Sequence, residues 1–108
     1  MLNIKKVLFK ILQWMQEPMV TATNSKTESC AANTGTQVNV SLSKTGYYPV
    51  AIVGYQVAGD GSGSADVRQY RLTAQSSGAG TAYFYVWNTS GTTRNWTVTA
   101  QILWVKEG

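Results

Sequence analysis

The hydrophobic positions of the chain follow two different periods. Near the N-terminus apolar side chains recur every three or four residues, which is the period of one face of an α-helix. From about residue 19 onward the period changes to two, which is typical of β-strands, although 24–37 is a polar stretch. The pattern therefore predicts an amphipathic helix over 1–17, a linker or loop over 18–36 and a β domain over 37–108.

The predicted helix carries an apolar seam with heptad spacing. Its members are four, three and four residues apart, and the helix ends at Glu17 because the residue before Pro18 disfavours the α conformation. Leucine at the a position with isoleucine at the d position favours three or four strands over two in a coiled coil. The candidate oligomerisation residues of this seam are Ile4, Leu8, Ile11 and Met15.

An isolated helix of this length is marginal in water, so its apolar seam needs a partner. Pairing with copies of itself is favoured, and packing on its own β domain is the second alternative. A position on a membrane surface is the least favoured, although Lys5, Lys6 and Lys10 suit an interfacial helix. The lysines interrupt the apolar run, which disfavours a signal peptide and a membrane span.

Five or six strands are expected in the β domain, separated by stretches rich in glycine, serine and threonine. This order, with no helices between the strands, predicts an antiparallel β-sandwich of jelly-roll type and excludes parallel α/β folds. One predicted strand is apolar on both faces, so we expect both of its faces to be covered. The predicted strands are 37–43, 50–58, 68–75, 81–88 and 94–105, of which 50–58 is the one apolar throughout.

The composition excludes several kinds of chemistry. Charged residues make up 13% of the chain, and it contains no histidine and one cysteine, Cys30. It therefore lacks His-dependent nucleophile arrangements, the usual zinc ligand sets and an internal disulfide. The segment 60–66, DGSGSAD, resembles the start of a calcium-binding EF-hand loop. Such a loop has glycine at its sixth place and glutamate at its twelfth, and this chain has Ala65 and Arg71 there. We expect a protein that is not an enzyme and has no metal or cofactor.

The net charge of +4 is concentrated in the N-terminal lysines. The β domain is left almost neutral, which argues against a nucleic-acid partner. Its most distinctive feature is an aromatic stripe, Tyr83, Tyr85 and Trp87, on one face of the predicted strand 81–88. Contact with a subunit or second sheet is the favoured explanation for the stripe. Stacking on sugar rings is the alternative, with Asn88, Thr89 and Arg94 as candidate hydrogen-bonding residues.

The strand residues carry a resemblance to a known class of viral proteins. It rests on GYYPVAIVGYQVAG from Gly46, YRL at 70–72, YFYVWNTSG at 83–91 and RNWTVTAQILWVK at 94–106. Over about 38–106 the chain resembles the small C-terminal β domains of phage and prophage tail-fibre, baseplate and minor structural proteins. These residues form a pattern of strands and turns and contain no catalytic signature.

The resemblance implies a homotrimeric virion component made in the bacterial cytoplasm. Its implied partners are copies of itself, other virion proteins and a host cell-surface glycan. The chain departs from the usual pattern because its 108 residues include no long fibre shaft ahead of the β domain. A tail-fibre, head-fibre or decoration role, or a role in assembly alone, therefore stands beside receptor binding as an expectation.

Overall fold

The computed structural model describes residues 4–8, 19–61 and 63–107. Residues 4–8 form a helical segment, α1, and six β-strands follow it. The strands are β1 (Met19–Cys30), β2 (Gly35–Ser43), β3 (Tyr47–Gly59), β4 (Ala65–Ser76), β5 (Ala79–Asn88) and β6 (Arg94–Lys106).

The strands form two three-stranded antiparallel sheets that share one core. The first sheet has the order β1-β6-β3 and the second has the order β2-β5-β4. Alternate residues of the two central strands, β5 and β6, are buried, as the period of two in the sequence predicts. The mainly β, antiparallel part of the expected fold is thus confirmed. The buried core comprises Cys30, Val38, Val40, Leu42, Ala82, Phe84, Val86, Trp96, Val98, Ala100, Ile102 and Trp104.

At one end of the two sheets, the turn between β4 and β5 is hydrogen-bonded to the connection between β2 and β3. Gly78 closes the hairpin between β4 and β5 with a φ of 77°, a left-handed conformation that favours glycine. Its amide donates to the carbonyl of Tyr47 at 2.7 Å, and its carbonyl accepts from the amide of Lys44 at 2.9 Å. The β4–β5 hairpin is therefore bonded directly to the β2–β3 connection.

The segment expected to be a linker, 18–36, is a strand over most of its length. β1 pairs with β6 from Met19 to Cys30 without a register shift. Hydroxyl pairs support this register on the outer face, where Ser25 meets Thr99 at 2.9 Å and Thr27 meets Thr97 at 2.7 Å. The prediction was wrong because β1 is an edge strand whose middle is polar on both faces, so hydrophobic alternation does not mark it.

β3 also differs from expectation, because it is an edge strand and not one covered on both faces. Its pairing with β6 shifts between Pro49 and Ala51 and again between Ile52 and Gly54. The skipped residues, Val50 and Val53, are 48% and 50% exposed. Each irregularity places an extra residue in the strand, which breaks the alternation of inner and outer positions. In β3, apolar residues at both odd and even positions therefore result from the bulges and not from burial of both faces.

The described helical residues expose the apolar seam. Ile4 is 70% exposed and Leu8 is 57% exposed, while Ile11 and Met15 lie outside the described residues.

The radius of gyration is 18.6 Å, against about 13 Å for a compact domain of this length. The molecule is accordingly elongated. In the described ranges, no helix is long and apolar enough to cross a membrane.

Candidate functional site

The three stripe residues lie together on the outer side of the β2-β5-β4 sheet. Tyr83 and Trp87 are half-buried, and Tyr85 is 39% exposed. Their inward neighbours on β5 belong to the core, so strand alternation fixes the outward direction of the stripe. We call this surface the aromatic face. It comprises Tyr83, Tyr85 and Trp87 of β5 with their cross-strand partners Gly35, Gln37 and Asn39 of β2 and Asp66, Gln69 and Arg71 of β4, and the adjacent Arg68.

Two arginines of β4 stack on the stripe. The guanidinium carbon of Arg68 lies 4.2 Å from the ring centroid of Trp87, and that of Arg71 lies 5.1 Å from the centroid of Tyr83. Arg68 falls at a register shift between Val67 and Gln69, and such a shift redirects a side chain. Both contacts are cation–π interactions, which hold the guanidinium groups against the sheet.

A small cavity lies between these residues. Its volume is about 130 Å³, and Tyr85 forms part of its wall. The Tyr85 ring lies directly over Gly35, where a Cβ atom would collide with the phenol. Glycine at this position of β2 therefore allows the ring to lie flat across the neighbouring strand. The full lining is Gln37, Gln69, Arg71, Tyr83, Phe84 and Tyr85.

Asn88, a candidate ligand residue from the sequence, is fully buried away from the aromatic face. Its side-chain nitrogen donates to the carbonyls of Cys30, Ala31 and Thr92 at 3.0, 3.2 and 3.0 Å. Its side-chain oxygen accepts from the Ser90 amide at 2.9 Å. The structure therefore gives Asn88 the position of a clamp between the β1–β2 turn and the β5–β6 connection.

Arg94, the other candidate polar residue, belongs to the opposite sheet. It opens β6, where it pairs with Cys30 of β1, and it is half-buried. Its guanidinium lies against Gly61, where a Cβ atom would collide with it. The structure thus brings Tyr83, Tyr85 and Trp87 together and places Asn88 and Arg94 apart from them.

No group of three or more His, Cys, Asp or Glu side chains that could hold a metal occurs within the described ranges. Cys30 is buried, and its thiol donates to the Thr34 carbonyl at 3.3 Å. A buried thiol in a turn contact has the role of a small packing residue.

Sequence reasoning missed the polar partners of the stripe. The alternation of 68–75 predicts that Gln69 and Arg71 point outward, but the identity of the neighbouring strand is not contained in that pattern. Pairing β5 between β2 and β4 is what brings Gln37, Gln69 and Arg71 around Tyr85. No family model, curated protein or solved structure compared with the chain matches it.

Proposed function

We propose that the chain is a non-enzymatic structural protein of a phage or prophage particle that assembles as a homotrimer. Within the particle it serves as a tail-fibre, head-fibre or decoration-like component. It is made in the bacterial cytoplasm and joins copies of itself and other virion proteins. The proposal extends the strand-pattern resemblance of 38–106, and one structural observation carries the self-association.

That observation is the exposure of the seam on α1. Ile4 and Leu8, at 70% and 57% exposed, are the two most exposed of the large hydrophobic residues in the described chain. Each buried apolar side chain contributes roughly 1.5–3 kcal/mol relative to an exposed one, so three copies gain by packing these residues together. The heptad spacing of the seam favours that arrangement.

The strand order supports a finer statement about the fold. β1 pairs antiparallel with β6, and β2 pairs antiparallel with β5, while β3 and β4 occupy the same edge of the two sheets. Nested antiparallel pairs of this kind are the winding of a jelly roll. We propose a six-stranded jelly roll, a β-sandwich fold that is common in viral capsid domains.

Sedimentation equilibrium tests the assembly. The full chain should have about three times the mass of one 11.8 kDa chain. Leu8→Asp should dissociate it, because an aspartate in the seam would be buried without a partner. Lys5→Asp is the matched control, since it introduces the same side chain on the same helix outside the seam, and it should leave the mass unchanged.

A concentration-independent monomer, or equal masses for the two variants, would contradict this mode of assembly. The virion assignment has a separate test. Antibodies raised against the protein should label particles purified from the bacterium that carries its coding sequence. Particles that lack the protein in both immunogold images and mass spectra would rule out a virion role.

The aromatic face favours a second candidate function, a carbohydrate-binding module that contacts a host glycan. Tyr85 is exposed between two arginine-stacked aromatics and beside amide side chains of β2 and β4. Aromatic rings cover the apolar side of a sugar ring, and amide and guanidinium groups bond its hydroxyls. This combination of residues is what sugar recognition uses.

Glycan-array binding tests the second function. Tyr85→Ala should abolish binding, whereas Tyr48→Ala should not. Tyr48 is an apt control because it is 40% exposed, nearly the same as Tyr85 at 39%, and lies on β3 in the other sheet. Loss of binding in both variants, or in neither, would show that the aromatic face is not the sugar site.

A further inference from the structure

We infer that the cavity beside Arg71 binds the carboxylate group of an acidic saccharide. This inference rests on the second candidate function, since it names the class of glycan that the aromatic face would take. Three features of the site carry it: the charge of its lining, its size, and the unequal charge of the two ends of the aromatic face.

The lining of the cavity is cationic and contains no acid. Arg71 is its charged residue, accompanied by the amides of Gln37 and Gln69 and by two tyrosines. Among the described residues, no ion pair or hydrogen bond engages the Arg71 guanidinium. Its stacking on Tyr83 uses the flat face of the group. The N–H donors at the edge of the guanidinium are therefore available, and their fork matches the two oxygens of a carboxylate.

The volume of the cavity limits what can enter it. At about 130 Å³ it is smaller than the roughly 300–1,000 Å³ of sites for drug-sized ligands. It can accept one small polar group but not an oligosaccharide. The exposed Tyr85 at its wall offers a surface on which the sugar ring lies while its carboxylate enters the cavity.

The two ends of the aromatic face differ in charge. At one end Trp87 has Asp66 as its cross-strand partner, beside Arg68. At the other end Tyr83 has Arg71 opposite it, with Asn39 on the far side. A carboxylate at the first end would face a like charge within the same few residues, whereas at the second end it meets an arginine. The charge complementarity therefore selects the Arg71 end.

Isothermal titration calorimetry on the full chain tests the inference with a matched pair of probes. Oligogalacturonate carries free carboxylates, and its methyl-esterified form has the same sugars without their charge. We expect the free acid to bind at least about tenfold more tightly, because charge-assisted hydrogen bonds are lost on esterification. Binding of the free acid should also weaken as NaCl rises from about 0.05 M to about 0.5 M.

Arg71→Gln should weaken binding of the free acid about tenfold or more and leave the esterified probe unaffected. Lys106→Gln is the control, since it removes one positive charge from β6 in the other sheet, away from the aromatic face, and it should change affinity by less than about threefold. Thermal unfolding of both variants should match the parent, because the side chains of Arg71 and Lys106 are both exposed.

The outcomes separate the inference from the function on which it rests. If the free and esterified probes bind equally, or if Lys106→Gln weakens binding as much as Arg71→Gln, the acidic-sugar inference fails while carbohydrate binding stands. Tighter binding of a glycerol-phosphate oligomer than of oligogalacturonate would overturn the choice of carboxylate. If neither probe nor any glycan on an array binds, the carbohydrate-binding function itself fails.

Discussion

Replacing Asn88 with alanine should cost more stability than any other change of one polar side chain in the described chain. Its amide makes four hydrogen bonds to the backbone, to Cys30, Ala31, Ser90 and Thr92, at 2.9 to 3.2 Å. The side-chain nitrogen has two N–H groups to share among three carbonyls, so the four contacts amount to about three full hydrogen bonds and, at about 1 kcal/mol each, a loss of about 3 kcal/mol. For a domain of this size that loss lowers Tm by roughly 12 °C.

Urea unfolding followed by tryptophan fluorescence, at one fixed protein concentration, measures the loss. Asn39→Ala is the matched control, because Asn39 is exposed on β2 and accepts one hydrogen bond from Gln37 at 2.9 Å. It should change the free energy of unfolding by less than about 0.5 kcal/mol. A loss below about 1 kcal/mol for Asn88→Ala would refute the clamp assignment.

The charged variant Asn88→Asp sharpens the test. It keeps the shape of the side chain but turns a carboxylate toward three carbonyl oxygens, so the pKa of the new carboxyl should rise above its unfolded value. The variant should be least stable near pH 7. Its deficit against the parent should shrink as the pH falls toward about 4, where the unfolded chain also takes up the proton. A stability deficit of Asn88→Asp that does not change with pH would show that water reaches the side chain at position 88 and solvates the carboxylate.

Three further changes probe the core, the aromatic face and a turn. Trp104→Ala should cost about 3–5 kcal/mol by urea unfolding, whereas Trp104→Phe should cost less than about 1.5 kcal/mol, because the buried indole nitrogen has no hydrogen-bond partner among the described residues. Gly35→Ala should displace the Tyr85 ring and destabilise the chain, and the added change Tyr85→Ala should relieve much of that effect in a double-mutant cycle. Gly78→Ala should cost about 1 kcal/mol or more at its φ of 77°, measured as a lower urea midpoint, while Ser77→Ala beside it should cost little.

The central strands could be predicted from the sequence because each has one face buried in the core. Residues 94–105 alternate strictly between apolar and polar, and this strand occupies the centre of its sheet. The same holds for 81–88, whose outward aromatics lie where alternation places them. Burial on one side imposes the period of two, so the pattern and the structure have the same cause.

The edges of the sheets could not be predicted in the same way. β1 carries polar residues on both faces at its middle, and β3 carries bulges that exchange its inner and outer positions.

Of the candidate site, the sequence predicted the aromatic stripe but not its partners on the neighbouring strands. Tyr83, Tyr85 and Trp87 share a strand, but Gln37 and Arg71 reach them only through sheet pairing between segments far apart in the chain. Asn88 was misplaced as a ligand candidate because a period of two turns it to the side opposite its neighbour Trp87.

The irregular register of β3 has a consequence for behaviour at high copy number. A sheet grows into a fibril only if both of its borders can accept another strand, and the bulges with Pro49 spoil one border of the β1-β6-β3 sheet. The other border, along β1, is regular and can accept one strand. The paired molecules then present only their β3 borders, so strand addition ends after a single pairing. Molecules crowded side by side at high concentration can therefore touch without polymerising through this sheet.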